Sequence, residues 1–248
     1  MIIRVLLSSV LLAGMAQQVQ ADSSKSEDDW RFSLAPLFLW GMGIEGDTSI
    51  GPATAPLDIG FDDALENLDA VFTFHFEARK KDLTLFAEYQ YVDLSPSASL
   101  PTGGTVNVNF KNKMLELGVG YRVTKLGDAD LEIIGGGRWV EQDLNASGIP
   151  VLFSISNKED WWDVFAGARI WAPLSDKWSF IGRVDYGAGG SDDTWNLAGT
   201  FDYRFKEWGS VFMGYRWMDF DYESGSGLDR YAYDATQQGP LAGLTIHW

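Results

Sequence analysis

The chain has 248 residues, a formal net charge of −16 and no cysteine. The lack of cysteine excludes disulfide frameworks and thiolate metal sites, and the excess of acidic residues argues against nucleic acid as a partner, because few basic side chains are available to neutralise phosphates. No segment approaches eighteen consecutive apolar residues, so the sequence contains no candidate transmembrane helix.

The N-terminus has the features of a secretory signal peptide. Arg4 precedes an apolar run over residues 5–16, and Val19, Gln20 and Ala21 form the small-residue pattern of a cleavage site. We therefore predict a signal peptide over residues 1–21 and, because residues 22–29 are small, polar and charged, a disordered leader after it.

N-terminal sequencing of the exported protein should begin at Asp22. The reason is that signal peptidase cleaves after small residues with the spacing of Val19 and Ala21. Exported protein that still carries Met1 would contradict a cleaved signal peptide.

From Trp30 onwards, long segments alternate apolar and polar residues with a period of two, which indicates β-strands with one apolar face. Ten strands are predicted, over residues 30–44, 68–79, 83–91, about 105–122, 131–144, 161–171, 178–189, 194–205, 208–222 and about 231–248. Short connections alternate with longer ones, as in membrane barrels with short periplasmic turns and long outer loops. The predicted fold class is therefore all-β.

More specifically, we predict a closed antiparallel transmembrane β-barrel of about ten strands over residues 30–248, with eight or twelve strands as alternatives. The composition includes 11 Trp and 27 Gly, and membrane barrels place Trp and Tyr at both interfaces. A soluble β-sandwich is the competing interpretation, but it would give no reason for the alternating loop lengths.

The last strand has the most regular pattern near the C-terminus. Leu244, Ile246 and Trp248 lie on one face, and Thr245 and His247 lie on the other. The segment resembles the C-terminal strand of bacterial outer-membrane barrels. That resemblance implies that the three apolar residues form a signal for the barrel-assembly machinery.

The chain as a whole resembles the small outer-membrane β-barrel proteins of Gram-negative bacteria. Within the broad outer-membrane protein A and W-like group it is most similar to a porin-like subset. Residues 39–46, 61–69, 214–222 and 239–243 carry the resemblance, which extends over essentially all of the chain after residue 21. It implies an outer-membrane location, with outer-membrane lipid and lipopolysaccharide as partners, and it implies little about activity.

The polar strand faces, which would line the barrel interior, carry nearly balanced charges. This predicted lumen ladder comprises Asp69, Glu77, Arg79, Glu88, Glu116, Arg122, Glu132, Arg138, Asp163, Arg169, Arg183, Asp185, Asp202, Arg204 and Arg216. Salt bridges between them are expected, because an unpaired charge in a confined site is costly. Side chains fill barrels of about eight strands, which favours a filled interior over a narrow ion-selective channel lined by the same groups.

Histidine is the usual general acid or base of enzymes. His75 lies beside Glu77 on an inward face, but no serine is near it in sequence. We therefore predict no catalytic residue, no enzymatic activity and no cofactor, with a lipid-modifying outer-membrane enzyme as the alternative.

The outer loops are acidic. Asp58, Asp62, Asp63, Glu66 and Asp69 crowd the first of them, where residues 61–68 also show the apolar spacing of a short helix. The carboxylates match no calcium-binding loop, so no metal site is predicted. Binding of divalent cations or of a surface partner by these loops is the alternative. The predicted function is an outer-membrane barrel, porin-like or structural, with a narrow salt-bridged lumen.

Overall fold

The computed structural model describes residues 29–99, 105–148 and 154–248 of the chain. These residues form a closed antiparallel barrel of ten strands with additional short strands, which confirms the predicted fold class. The predicted signal peptide and residues 22–28 of the leader lie outside the described residues. Among the described residues, no helix has the length and apolar character needed to cross a membrane.

The elements follow one another in chain order. They are β1 (Arg31–Ala35), β2 (Phe38–Trp40), β3 (Gly43–Ile50), β4 (Ala53–Ile59), α1 (Phe61–Glu66), β5 (Leu68–Lys80), β6 (Leu83–Leu94), β7 (Ser97–Ser99), β8 (Thr105–Leu126), β9 (Ala129–Gly148), β10 (Ser154–Pro173), β11 (Trp178–Gly189), β12 (Asp193–Lys206), β13 (Gly209–Ser224) and β14 (Tyr231–His247), with a single 3₁₀ turn at Gly227–Asp229.

The first wall strand is broken into β1, β2 and β3, so the prediction of one continuous strand over residues 30–44 is wrong. Pro36 follows β1, and proline has no N–H to donate to a strand ladder. Pairing between β1 and β5 therefore ends at Ala35 and His75. Beyond it, the Thr73 hydroxyl joins the two sides: it accepts a hydrogen bond from the Phe38 N–H at 2.8 Å and donates one to the Phe38 carbonyl.

The last strand closes the barrel. Along β14, successive segments pair with β1, β2 and β3, while its other edge pairs with β13. At the end of the chain, the Phe32 N–H donates to the Trp248 carbonyl at 2.9 Å, and the Trp248 N–H donates to the Phe32 carbonyl at 3.0 Å. Pairing of the first and last strands removes both free edges of the sheet.

The first outer connection is more structured than the sequence predicts. Residues 43–59 form the hairpin of β3 and β4, and β3 extends the barrel wall along β14. The predicted short helix is confirmed as α1. The Phe61 ring fills the space where a Cβ would lie on Gly41, and Ala64 is buried against the barrel interior.

The outer surface of the barrel is apolar. Val164 is 75% exposed and Met213 is 63% exposed, and both belong to a band of outward-facing apolar side chains around the wall. Such a surface is not tolerated in water, but it matches the lipid-facing band of a membrane barrel. Outward-facing Trp and Tyr flank the band, among them Trp178, Tyr203, Trp208 and Trp248 near the short turns and Trp139, Trp162, Tyr186 and Trp217 towards the outer loops.

Candidate functional site

Buried charges span the middle of the lumen. Arg138 on β9 is fully buried and donates to Glu116 at 2.7 Å, to Asp185 at 2.6 Å and to the Thr194 hydroxyl at 2.8 Å. Arg183 on β11 donates to the same two carboxylates at 2.8 Å and 2.7 Å. Two arginines and two acids therefore form one closed cluster in which each carboxylate oxygen has a donor.

Two further arginines connect opposite walls of the barrel. Arg216 on β13 donates to Glu88 on β6 at 2.6 Å and to Asn196 at 2.8 Å. Arg169 on β10 donates to Glu77 on β5 and pairs with Glu132 at 2.6 Å. We name these pairs, with the four-residue cluster, the lumen network. Because its members come from strands on opposite sides, the network crosses the width of the barrel.

Two side chains at its edge complete the lumen network. The two ring nitrogens of His75 contact two carboxylates, with Nδ1 2.8 Å from Glu88 and Nε2 3.3 Å from Glu77. Arg79 lies 3.2 Å from Glu132 and places its guanidinium 4.5 Å from the centre of the Trp171 ring. His75 thus belongs to the ionic network.

Aromatic rings pack among the guanidinium groups. Arg183 lies 5.4 Å from the Phe86 ring and 5.2 Å from the Phe165 ring. Both rings occupy space over glycine: a Cβ on Gly118 would lie 2.2 Å from Phe86, and one on Gly136 would lie 2.8 Å from Phe165. Inward glycines therefore let a narrow barrel hold both rings and the charges.

Five residues of the predicted ladder lie apart from the lumen network, and two of these placements correct the prediction. Asp69 is exposed and accepts a hydrogen bond from Ser95 at 2.5 Å, because an irregularity between Leu68 and Ala70 interrupts the alternation of β5. Arg122 lies at the end of β8, where it contacts Asp82 at 2.5 Å and Asp130 at 3.3 Å.

The other three face inward but have different partners. Asp163 accepts from the Ser191 N–H at 2.9 Å and the Ser191 hydroxyl at 2.8 Å. Asp202 and Arg204 lie near the short-turn end of the barrel. There Asp202 accepts from Ser210 at 2.6 Å, and Arg204 contacts His247 at 3.3 Å. The remaining ten residues of the ladder form the lumen network.

Sequence reasoning missed a second layer of the interior. Apolar and aromatic side chains also fill the lumen, from the level of Phe38 and Leu241 to the outer loops; the buried members are Phe38, Trp40, Met42, Ile44, Ala64, Leu94, Phe110, Met114, Val140, Trp161, Met218, Phe220, Tyr222, Tyr231, Tyr233, Ala235 and Leu241. We name this set the aromatic plug. Trp161 and Tyr222 stack in it with ring centroids 4.0 Å apart. Inward aromatics at the outer ends of β13 and β14 were its signal in the sequence.

Above the lipid-facing band, the outer face of the wall becomes charged. Lys113 lies 2.6 Å and Lys158 lies 3.1 Å from Glu141. Further along the rim, Arg230 donates two hydrogen bonds to Glu223, at 2.9 Å and 3.0 Å, and these lower the pKa of the Glu223 carboxyl. Within the described residues, no group of three or more His, Asp or Glu side chains has an arrangement that could hold a metal ion.

The comparisons with known proteins concern the fold. No protein-family model matches the chain, and no curated protein matches it. The crystal structure of the outer membrane protease OmpT from Escherichia coli is similar, with a TM-score of 0.56, 8% identity and coverage of 91% of this chain and 99% of that chain. At this identity the similarity supports the barrel fold and nothing finer.

Other solved structures are less similar. For the translocator domain of autotransporter NalP from Neisseria meningitidis the TM-score is 0.47, with 13% identity over 91% of this chain and 90% of that chain. For Ail, the attachment invasion locus protein of Yersinia pestis, it is 0.39, with 9% identity over 88% and 97%. Taken with the lipid-facing band and the OmpT likeness, the closed ten-strand wall gives this chain the fold and the location of a Gram-negative outer-membrane β-barrel protein.

Proposed function

We propose that the protein is a structural outer-membrane barrel whose filled lumen gives it at most a small, porin-like conductance. The observation that supports this most directly is the crossing of the lumen by Arg216 to Glu88 and by Arg169 to Glu77. A general porin needs a water-filled passage, and such passages are typical of barrels with about sixteen strands. Here ten strands enclose paired charges.

The aromatic plug supports the same proposal. Apart from Phe38 and Leu241, which line the cavity described below, it lies between the lumen network and the outer loops, and Tyr233 and Phe220 in it are each 1% exposed. A hydrated ion would have to displace both the packed rings and the paired charges. Each step has a large cost, since close-packed interiors offer few voids and buried ion pairs are destabilised when one partner moves away.

Purified protein in planar lipid bilayers should therefore show no conductance or only small, brief openings. The physical reason is that both filled layers lie in series along the same lumen. A general porin reconstituted in the same bilayers is the control for successful insertion. Stable openings of general-porin size would show that the lumen network lines an open passage.

Enzymatic activity is not part of this proposal. The OmpT likeness brings a protease into consideration, but both ring nitrogens of His75 engage carboxylates. Nearer the short turns, the Ser210 hydroxyl donates to Asp202, although Nε2 of His247 lies 2.9 Å from it. A nucleophilic serine needs its proton taken by a base. Loss of a measured lipid modification or peptide cleavage on His75→Ala would be needed to support an enzyme.

The proposed partners follow from the surface. Outer-membrane lipid would contact the apolar band, and the phosphates of lipopolysaccharide would lie at the level of the charged rim. The barrel-assembly machinery would recognise Leu244, Ile246 and Trp248, which all face outward and are exposed. Binding of a surface partner through the acidic rim is the second candidate: Asp193, Asp219, Asp221 and Asp234 lie together on three adjacent strands there.

A further inference from the structure

The short-turn half of the barrel contains a cavity of about 170 Å³ below the lumen network. Apolar side chains such as Phe38, Ile134, Ile181 and Leu241 form much of its wall. Thr245 and His247, near the end of β14, line the cavity on the side of the short turns. A site of this kind, largely apolar with a few polar groups, is typical of pockets for small organic molecules.

One of the acidic groups that line the cavity forms no ion pair. Glu77 is paired with Arg169, and Glu88 is paired with Arg216. Asp202 also lines the cavity and is only 8% exposed. Among the residues that the structure describes, no Lys, Arg or His forms an ion pair with the Asp202 carboxylate: Arg204 attracts it only from beyond ion-pair distance, and Ser210 donates a hydrogen bond to it. A cation in direct contact would stabilise this buried charge further.

Hydrogen bonding leaves one oxygen of Asp202 available. A guanidinium can only donate, so Arg204 Nη2, 3.3 Å from Nδ1 of His247, makes that nitrogen an acceptor. Nε2 of His247 then carries the proton and donates it to the Ser210 hydroxyl at 2.9 Å. Ser210 in turn donates to Oδ2 of Asp202 at 2.6 Å. This chain orients the carboxylate and uses a single oxygen, so Oδ1 is left for another donor.

We propose that this cavity binds a small organic cation: a primary ammonium group carried by an apolar body of about one aromatic ring. The ammonium would donate to Oδ1 of Asp202 and place a positive charge at ion-pair distance from it, while the body would contact Phe38, Ile181 and Leu241. The size is suitable, since an apolar cavity of about 150 Å³ holds benzene in another protein. The site is independent of whether the lumen conducts ions.

A carboxylate ligand fits the cavity less well. Arg183 and Arg216 each have an Nη2 atom without a hydrogen-bond partner among the described residues, which at first favours an anion. Both atoms are enclosed by protein and have almost no accessible surface. They therefore cannot donate to a molecule in the cavity, whereas the Asp202 carboxylate lines it without an ion pair.

The test uses three probes of equal size and different charge. Benzylamine, benzyl alcohol and benzoate are titrated into the folded, detergent-solubilised barrel by isothermal calorimetry. Benzylamine should bind at least tenfold more tightly than either of the others. Asp202→Asn should remove that preference, weakening benzylamine at least tenfold and leaving benzyl alcohol nearly unchanged. Asp219→Asn, the same charge change on the outer rim, should have no effect.

A second variant addresses the cavity itself. Ala198→Phe places a ring in the cavity and should weaken binding of benzylamine and benzyl alcohol alike, with folding checked by heat-modifiable mobility on gels. The proposal is overturned if benzylamine binds the unmodified protein no better than benzoate, if no probe binds, or if Asp202→Asn retains the preference for benzylamine.

Discussion

Deletion of Trp248 should remove most of the folded, heat-modifiable protein from the outer membrane. Trp248 stacks on Phe32 with ring centroids 5.8 Å apart and lies 6.5 Å from Phe76. Its backbone also exchanges two hydrogen bonds with Phe32, the last contacts that join the first and final strands. The deletion therefore removes an interfacial aromatic anchor, the closing hydrogen bonds and the proposed assembly signal together.

His247→Ala is the matched control for this deletion. His247 faces inward and contacts Ser210 and Arg204, so its loss costs two side-chain hydrogen bonds, a modest penalty of about 1–3 kcal/mol, without touching the lipid-facing residues. Fractionation followed by unheated gel electrophoresis measures both variants. Normal assembly of the Trp248 deletion, with failure of His247→Ala, would show that the assignment of outward and inward faces on β14 has no bearing on assembly.

Replacement of Arg138 by methionine should destabilise the folded barrel by about 3–5 kcal/mol, the usual cost of leaving a buried charge without its partner. Arg138 is fully buried, and its removal deprives both Glu116 and Asp185 of a donor. Arg183 would remain as their common partner, but one guanidinium cannot replace two. Urea unfolding in lipid vesicles, followed by tryptophan fluorescence, measures the loss.

Arg122→Met is the control for Arg138→Met, because both variants replace an arginine by a methionine. Arg122 pairs with Asp82 and Asp130 at the short-turn end of the barrel, where its side chain is 20% exposed. Ion pairs in contact with water contribute about 0–1 kcal/mol, so this variant should unfold almost like the original protein. Equal stability of the two variants would mean that the ion pairs of Arg138 in the lumen network contribute no more to stability than those of Arg122 at the short-turn end.

The sequence was sufficient to predict the direction in which most side chains point. Strand alternation places Glu116, Arg138 and Asp185 inward, and the structure has them there. Alternation predicted the wrong direction where the backbone departs from regular pairing, as at Asp69. One extra residue in a strand reverses which side chains on either side of it point inward. Pro36 could have signalled the break after β1 in advance, since proline rarely lies inside a paired strand.

The pairing of charged side chains across the lumen could not be predicted from the sequence. Whether Arg216 meets Glu88 depends on the stagger of strands that are 128 residues apart in the chain, and alternation does not determine that stagger. The same holds for Asp163, which pairs with Ser191 instead of an arginine. The aromatic plug was missed for a related reason: apart from its short helix, the first outer connection was predicted as a loop, although β3 and β4 add partly buried apolar residues such as Ile50 and Leu57 to the barrel interior.

The Thr73 hydroxyl has a consequence for the motions of the wall. Most neighbouring strands of the wall are joined by many backbone hydrogen bonds, whereas among the described residues no strand pairing joins β2, β3 or β4 to β5, and the Thr73 hydroxyl links β5 to Phe38 instead. The wall therefore resists bending and strand separation less between β2 and β5 than at its paired strands. Thermal fluctuations of the wall should be largest along this boundary. The barrel behaves mechanically as a tube with one compliant seam, and a molecule or force that deforms it will be accommodated there first.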